Sequence, residues 1–593
     1  MTQREMVWDL SQLVKSSETS AVQKEMEGSV TDAEAFRKKY QGKIAKLDAK
    51  GLLKMIEEKD ELDLKYEGAF TFAYLTYNAD STSLVSKALL DSFRKNSSKF
   101  GQLLAFIDVE LGKLLTAKPS LVNDPALAEY KHKLERVVRR IPHMLSEAEE
   151  SLVIAKDTNG IGAWQQLQSD WLSTRMFTIE LDGQMKTLPY GEIIGLYEHG
   201  DRDVRRRANQ TVYENLGKDD IVWASAIRAV CADHLEMCKL RKYPSTMTPS
   251  LIDNDVDQRT VDSLMKTIEA NVAVYRKYLQ SKAKMMGLKK LANYDIVAPL
   301  PKVPEKEYTW EEARKETIGA YTGFDEQIGK WVTEMFDRLH IDAEVRKGKT
   351  SGAWCNTFFA GKTGYVLLSF NKKLGDVFTL AHENGHAVHA YLGSRAQKLS
   401  NYDIGSCVAE CGSIFGELLL TERLLSSAKT KQEKQAVLTK VLDEFGMTVF
   451  QVSGRVFFER SLYEAIERGE FLDGETVAKY WTASRDRIYG DTIEWLDVMK
   501  WEWTMKVHYY LANRRFYNYP YVFAQLFVFA LYKLYKEQGK AFVPELKALL
   551  SAGSSKSPFE LGKELGFDIS SEAFWQKGMD QALEFVKMLE ATI

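Results

Sequence analysis

Apolar residues return every three or four positions along most of this 593-residue chain, and only 12 prolines interrupt it. That spacing is the period of an α-helix. It runs through 32–62, 126–155, 257–286, 431–469 and 474–490, with prolines at plausible helix borders such as Pro142 and Pro520. A chain of this length exceeds what a single core accommodates, so more than one domain is expected. A boundary is predicted between 189 and 200, at Pro189 and the polar run Glu198-His-Gly-Asp-Arg202. This divides the chain into an N-terminal helical domain, 1–196, and a larger domain, 197–593. No internal repeat or low-complexity tract is present.

Strand signals are few. Residues 177–181 and 184–188 flank Asp182-Gly183, the signature of a two-residue hairpin. Residues 356–359 and 365–370 flank a glycine-bounded turn at 361–364. The expected class is mainly α, with a small sheet just ahead of the most informative motif. Residues 365–370 fit either an ordinary sheet strand or one that lends its edge to an extended chain, a mode that reads backbone more than side chains.

The net charge of −3 gives no bias toward nucleic acid or anionic membrane, so neither is expected as a partner. Arg205-Arg206-Arg207 lies beside Asp201 and Asp203 and reads as a solvated helix face; Arg514 and Arg515 likewise read as solvated charges. The apolar run 522–535 is short and broken by Gln525 and Lys533, so it is expected to be a buried helix and not a membrane span. The start, MTQREMVWDL, has no basic segment leading into an apolar run. Five dispersed cysteines without an export signal are expected to be reduced thiols in a cytoplasmic protein.

The chain has nine histidines, and three of them fall within Asp376-Val-Phe-Thr-Leu-Ala-His382-Glu383-Asn384-Gly385-His386-Ala-Val-His389. Read as a helix capped by Asp376, this segment puts His382 and His386 about 40° apart on one face. Two imidazoles so placed can share one zinc ion, which accepts nitrogen ligands and tolerates a site with one open position. Glu383 lies one step round the helix, suited to take a proton from water at that position. Gly385 costs about 1 kcal/mol in a helix interior, which makes sense if another backbone or a substrate comes close there. His389 falls on the ligand face, one further turn along. Cys231, His234 and Cys238 share another helical face, but their geometry is awkward for a metal and core packing is the better reading.

A catalytic metal needs a third protein ligand. The following segment, Gly405-Ser-Cys407-Val-Ala-Glu410-Cys411-Gly-Ser413-Ile-Phe-Gly-Glu417, reads as one helix. Glu410 and Glu417 are about 20° apart on it. Their neighbours are small or apolar, and a buried carboxylate there would seek a metal or a histidine N–H. Cys407 and Cys411 are an alternative ligand pair, but two thiolates would close the site and leave Glu383 without a water. Glu410 is therefore favoured.

These residues carry a family resemblance. The His382–His389 segment resembles the active-site helix of the thimet oligopeptidase and oligoendopeptidase F family of zinc peptidases, and Val408-Ala-Glu410-Cys-Gly-Ser413-Ile-Phe-Gly-Glu417 is similar to that family's glutamate-ligand helix. Ser351-Gly-Ala-Trp-Cys355, His508-Tyr-Tyr510, Phe516-Tyr-Asn-Tyr-Pro-Tyr-Val-Phe523 and the run from Ser551 to Leu561 fit as well, so the resemblance covers about 345 to the end, with weaker matches before it. It is stronger to the bacterial oligoendopeptidase F branch. Asn384 departs from it, since a larger apolar residue is commoner there; an effect on packing and not on chemistry is expected.

The resemblance implies two helical lobes around a deep substrate channel, with the small β-sheet next to the zinc-binding helix. It implies one Zn2+ per chain held by His382, His386 and Glu410, Glu383 as general base, and short peptides as substrates. His508, Tyr517 and Tyr521 become candidates to stabilise the negative charge that develops on the carbonyl oxygen. The expected activity is a zinc-dependent endopeptidase of short peptides (an oligopeptidase). The alternatives are a carboxypeptidase or dipeptidyl carboxypeptidase of the same chemistry, or a non-catalytic zinc- or peptide-binding protein. Oligomeric state is not encoded in any of these patterns.

Overall fold

A computed structural model describes residues 6–301 and 306–593. Helices dominate, as the apolar period requires. Seven short strands are described: β1 (Met176–Leu181), β2 (Gln184–Pro189), β3 (Leu291–Ala292), β4 (Ile341–Asp342), β5 (Trp354–Phe358), β6 (Thr363–Leu367) and β7 (Ile493–Glu494). The structure divides into two compact units, each built from three chain segments.

One unit comprises Met1–Ile141, Glu305–Ser427 and Leu534–Phe567. Its long helices Thr19–Tyr40 and Ala49–Ala79 replace the single helix expected over 32–62. Gly42 at φ 75° ends the first of them, and Asp48 caps the second by accepting the Gly51 N–H at 2.8 Å. The sheet here has the order β4-β6-β5. β5 and β6 are antiparallel, with Cys355 opposite Val366 and Asn356 opposite Tyr365; β4 pairs parallel to β6. One face of this sheet, with Phe358, Tyr365 and Leu367, packs on Trp8, Leu13, Val22 and Phe72. β6 runs out into the helix Leu374–Ala396, which carries the histidine motif.

The other unit comprises Pro142–Pro304, Ala428–Lys533 and Asp568–Ile593. The expected hairpin is present. β1 and β2 pair antiparallel with Leu181 opposite Gln184, and Asp182 and Gly183 both take positive φ, 54° and 74°. The helical run expected over 431–469 is continuous but not regular: Lys431–Phe445 passes through one π-helical stretch, Gly446–Gln451, into Val452–Glu467. A side chain at Gly446 would collide with the Tyr275 ring. Arg205 corrects the expectation of a solvated face. It is 2% exposed and ion-paired to the fully buried Asp295 at 2.9 Å, where Arg202 joins it at 2.8 Å. Residues 522–532 are all buried within the helix Tyr519–Gln538, as expected. Among the described residues no helix is long and apolar enough to cross a membrane.

Candidate metal centre

The helix Leu374–Ala396 is entered differently from the expectation. Lys373 is its N-cap, and Asp376 lies three residues in, reaching back to accept the N–H groups of Lys373 at 2.9 Å and Asn371 at 2.7 Å. That is the returning half of a capping box, and it anchors the helix against the turn after β6.

The second half of the site is also built differently. The segment around Glu410 is not one helix: Ser406–Ala409 ends, Glu410 takes φ −87° and ψ 4°, and Cys411–Ser427 begins. Glu410 therefore stands at a break. Ser413 fixes it there, its hydroxyl donating to Glu410 Oε2 at 2.7 Å. The two helices approach backbone to backbone. A side chain at Gly385 would strike the carbonyl oxygen of Gly412, and one at Gly412 would strike that of Gly385. This accounts for a glycine in the middle of the histidine helix. A third glycine, Gly416, makes room for Tyr321, whose hydroxyl donates to the Ala381 carbonyl at 2.7 Å.

This packing brings His382, His386 and Glu410 together. Glu410 Oε2 lies 3.3 Å from His382 Nε2 and 3.2 Å from His386 Nε2, and ligand atoms from the three side chains all fall within 4.8 Å of one another. An ion bound tetrahedrally at about 2.0–2.1 Å holds its ligand atoms about 3.3 Å apart, so the spacing and the donor set fit zinc. His382 is oriented from behind: its Nδ1 meets Glu417 Oε1 at 2.6 Å, which leaves Nε2 for the ion. Glu417, on the same face as Glu410 in sequence, takes a histidine nitrogen as its partner. Tyr321, which braces the carbonyl just before His382, left no mark in the sequence near the motif. Cys407 and Cys411 are buried thiols, and no thiol joins the metal-capable group found among the described residues.

The imidazoles and carboxylates of the site stabilise one another's charged forms. Burial pulls the His382 imidazole down, but its bonds to Glu410 and Glu417 outweigh that and raise it well above the ordinary histidine range. Burial pushes Glu410 up, yet the two imidazoles hold it well below the usual carboxylate range. Glu383 is 5% exposed, and burial raises it against the pull of His382 and His386. Its Oε2 is buried with no hydrogen-bond partner. His389 is not among the clustered groups; burial, then His386, lowers it to about 4. Asn384 is fully buried and donates to the Leu380 carbonyl at 2.8 Å, a packing role within its own helix.

Strand order favours the ordinary strand for 365–370. β6 lies between β4 and β5, and from Val366 on its β4 side is taken: the N–H groups of Val366, Leu368 and Phe370 donate to the carbonyls of His340, Asp342 and Ala343. The edge strand beside the histidine helix is β5, which carries Trp354 to Phe358.

His508, Tyr517 and Tyr521 lie in the other unit, where they form a cluster of their own. The His508 ring is 5.9 Å from Tyr517 and 6.0 Å from Tyr521, and the two tyrosine rings are 5.4 Å apart. Burial, reinforced by Arg455 and Lys506, lowers His508 to about 4, so it is neutral at neutral pH. Arg515 is 8% exposed and not solvated as expected; Arg514 stacks over Tyr517 at 5.0 Å.

Residues 196–581 match the sequence profile of peptidase family M3. The chain belongs to this family. Residues 119–174 also match the Oligopeptidase F profile. Among curated relatives of this M3 chain, Oligopeptidase PepF of Bacillus subtilis is 25% identical, with 90% of this chain and 79% of that protein covered. Group B oligopeptidase PepB of Streptococcus agalactiae is 26% identical over 95% and 93%. An Oligoendopeptidase F homolog of Lactococcus lactis is 27% identical over 90% and 88%. The fold is shared with a crystal structure from Chlamydophila abortus, at TM-score 0.89, 22% identity, and 100% and 99% coverage. It is shared too with oligoendopeptidase-F from Enterococcus faecium, at TM-score 0.69, 22% identity, and 96% and 98% coverage. As a member of M3, a metallopeptidase family, the chain is an enzyme of peptide hydrolysis.

Proposed function

We propose that this M3 peptidase is a zinc-dependent endopeptidase of short peptides, with His382, His386 and Glu410 as ligands and Glu383 as general base. One observation carries the reading: three ligand atoms spaced for a tetrahedral ion stand beside a buried carboxylate with a free oxygen.

Zinc bound there would activate a water and polarise the scissile carbonyl. Glu383 Oε2 takes a proton from the attacking water as the new C–O bond forms. The same carboxylic acid returns it to the amine as the C–N bond breaks. Burial raises Glu383, which strengthens it as a base. Glu417 keeps the His382 ring in its ligating orientation. The candidate donors to the developing oxyanion are His508, a neutral imidazole, and the hydroxyls of Tyr517 and Tyr521. The free edge of β5 holds the peptide backbone.

The test is digestion of quenched peptides of graded length, free or amidated at the C-terminus, with and without a chelator. Endopeptidase action predicts internal cuts in amidated peptides, abolished by chelator and restored by zinc. Cleavage confined to free C-terminal ends makes the enzyme an exopeptidase, and no chelator effect removes the metal from the account.

A further inference from the structure

The corner that carries Tyr517 is held in an unusual way. Phe516 takes φ 52°, a left-handed conformation in which a bulky side chain is an outlier. Such a residue persists only where its surroundings over-determine it. Here its N–H donates to Glu459 Oε1 at 2.7 Å, its ring stacks on Tyr463 at 5.4 Å, and its carbonyl accepts from Ser250 Oγ at 3.4 Å. The Tyr519 hydroxyl donates to the Ser250 carbonyl at 3.1 Å.

Glu459 is the exceptional member of this set. It sits on the helix Val452–Glu467, 3% exposed, between inward-facing Val456, Phe458 and Leu462. A leucine would fit that face without the desolvation a carboxyl suffers. Burial pushes Glu459 up to about 7, against the opposing pull of the Phe516 N–H and Arg515. The other groups around it are Cys231, Tyr463, Tyr509 and the buried Asn518. Asn518 and Arg515 also lie against the carboxyl, but the Phe516 N–H makes its one close hydrogen bond, at 2.7 Å, and it is the group that calls for an acceptor at this position.

We propose that Glu459 is a positioning residue, whose carboxylate fixes the corner from Arg515 to Asn518 and so stands the Tyr517 phenol beside His508 and Tyr521. The proposal rests on the reading of those three residues as oxyanion donors. Misplacing a reacting group by about 1 Å is enough to lose about 100-fold in rate.

The test uses the full-length, metal-loaded enzyme. E459L removes the acceptor and keeps the volume; E459Q keeps an acceptor. For E459L the expected results are exchange of the Phe516 amide faster by at least about tenfold, kcat lower by about 10–100-fold with KM within about threefold, and unchanged metal content. E459Q stays within about threefold of wild type in kcat. In an F516G background, where glycine adopts the left-handed conformation freely, the loss on adding E459L shrinks. If E459L does not fold, E459M carries the same comparison. Wild-type exchange at Phe516 in E459L overturns the proposal, as do equal losses in E459L and E459Q. A wild-type kcat in Y517F removes the donor role instead, and amide exchange then decides the positioning on its own.

Discussion

Gly385 and Gly412 face each other across two helices so closely that neither position has room for a methyl group. The contact is what sets Glu410 against His382 and His386, because the imidazoles ride on one helix and the carboxylate precedes the other. G385A is expected to destabilise the metal-free protein by about 1–3 kcal/mol and to weaken metal affinity at least about tenfold. Urea unfolding and chelator competition measure the two effects. An alanine variant unchanged in both would mean that the helices are not in contact there.

Glu417 holds His382 at 2.6 Å. E417A frees the ring to rotate and removes a negative charge near the site, so zinc affinity should fall about 10–100-fold. Competition against a chromogenic chelator reads this directly. Wild-type affinity in E417A would leave Glu417 with no part in the centre.

His340 is wholly buried, bonds Thr363 Oγ1 through Nδ1 at 3.1 Å and stacks on Tyr365 at 4.3 Å. Burial lowers it to about 4 from an ordinary value of 6.5. A histidine depressed in the fold contributes its full stability above pH 6.5 and loses it as pH falls toward 4, since the unfolded chain binds the proton first. The whole shift is worth on the order of 3 kcal/mol. H340F should therefore lose less stability than wild type between pH 6.5 and 4.5, as read by urea midpoints. Parallel slopes in the two proteins would show that His340 is not buried neutral.

β5 is an edge strand of its sheet, and β6 lies between β4 and β5. A peptide lying along β5 would exchange backbone hydrogen bonds at alternate residues. Inhibitory peptides N-methylated at successive positions should thus lose binding in an alternating pattern. Uniform tolerance of N-methylation would argue against strand addition.

The histidine pair was legible because two ligands four apart on a helix need no tertiary information. Gly385 was legible too, since a glycine in a helix interior calls for a close neighbour. The break at Glu410 was not, because helical period continues across it: Cys407 and Cys411 both face inward from either side. Strand order hid β5, since the β4 partner of β6 consists of only Ile341 and Asp342. Arg205 and Arg515 read as solvated charges because the acids they face, Asp295 and Glu459, lie far away in sequence.

The central claim is that three side chains hold the metal while Glu383 only moves a proton. E383Q separates these roles, since it keeps the shape and removes the base. The account predicts about one zinc per chain and turnover of a quenched peptide reduced by at least about 100-fold. Full turnover in E383Q, or loss of zinc with the substitution, would contradict it.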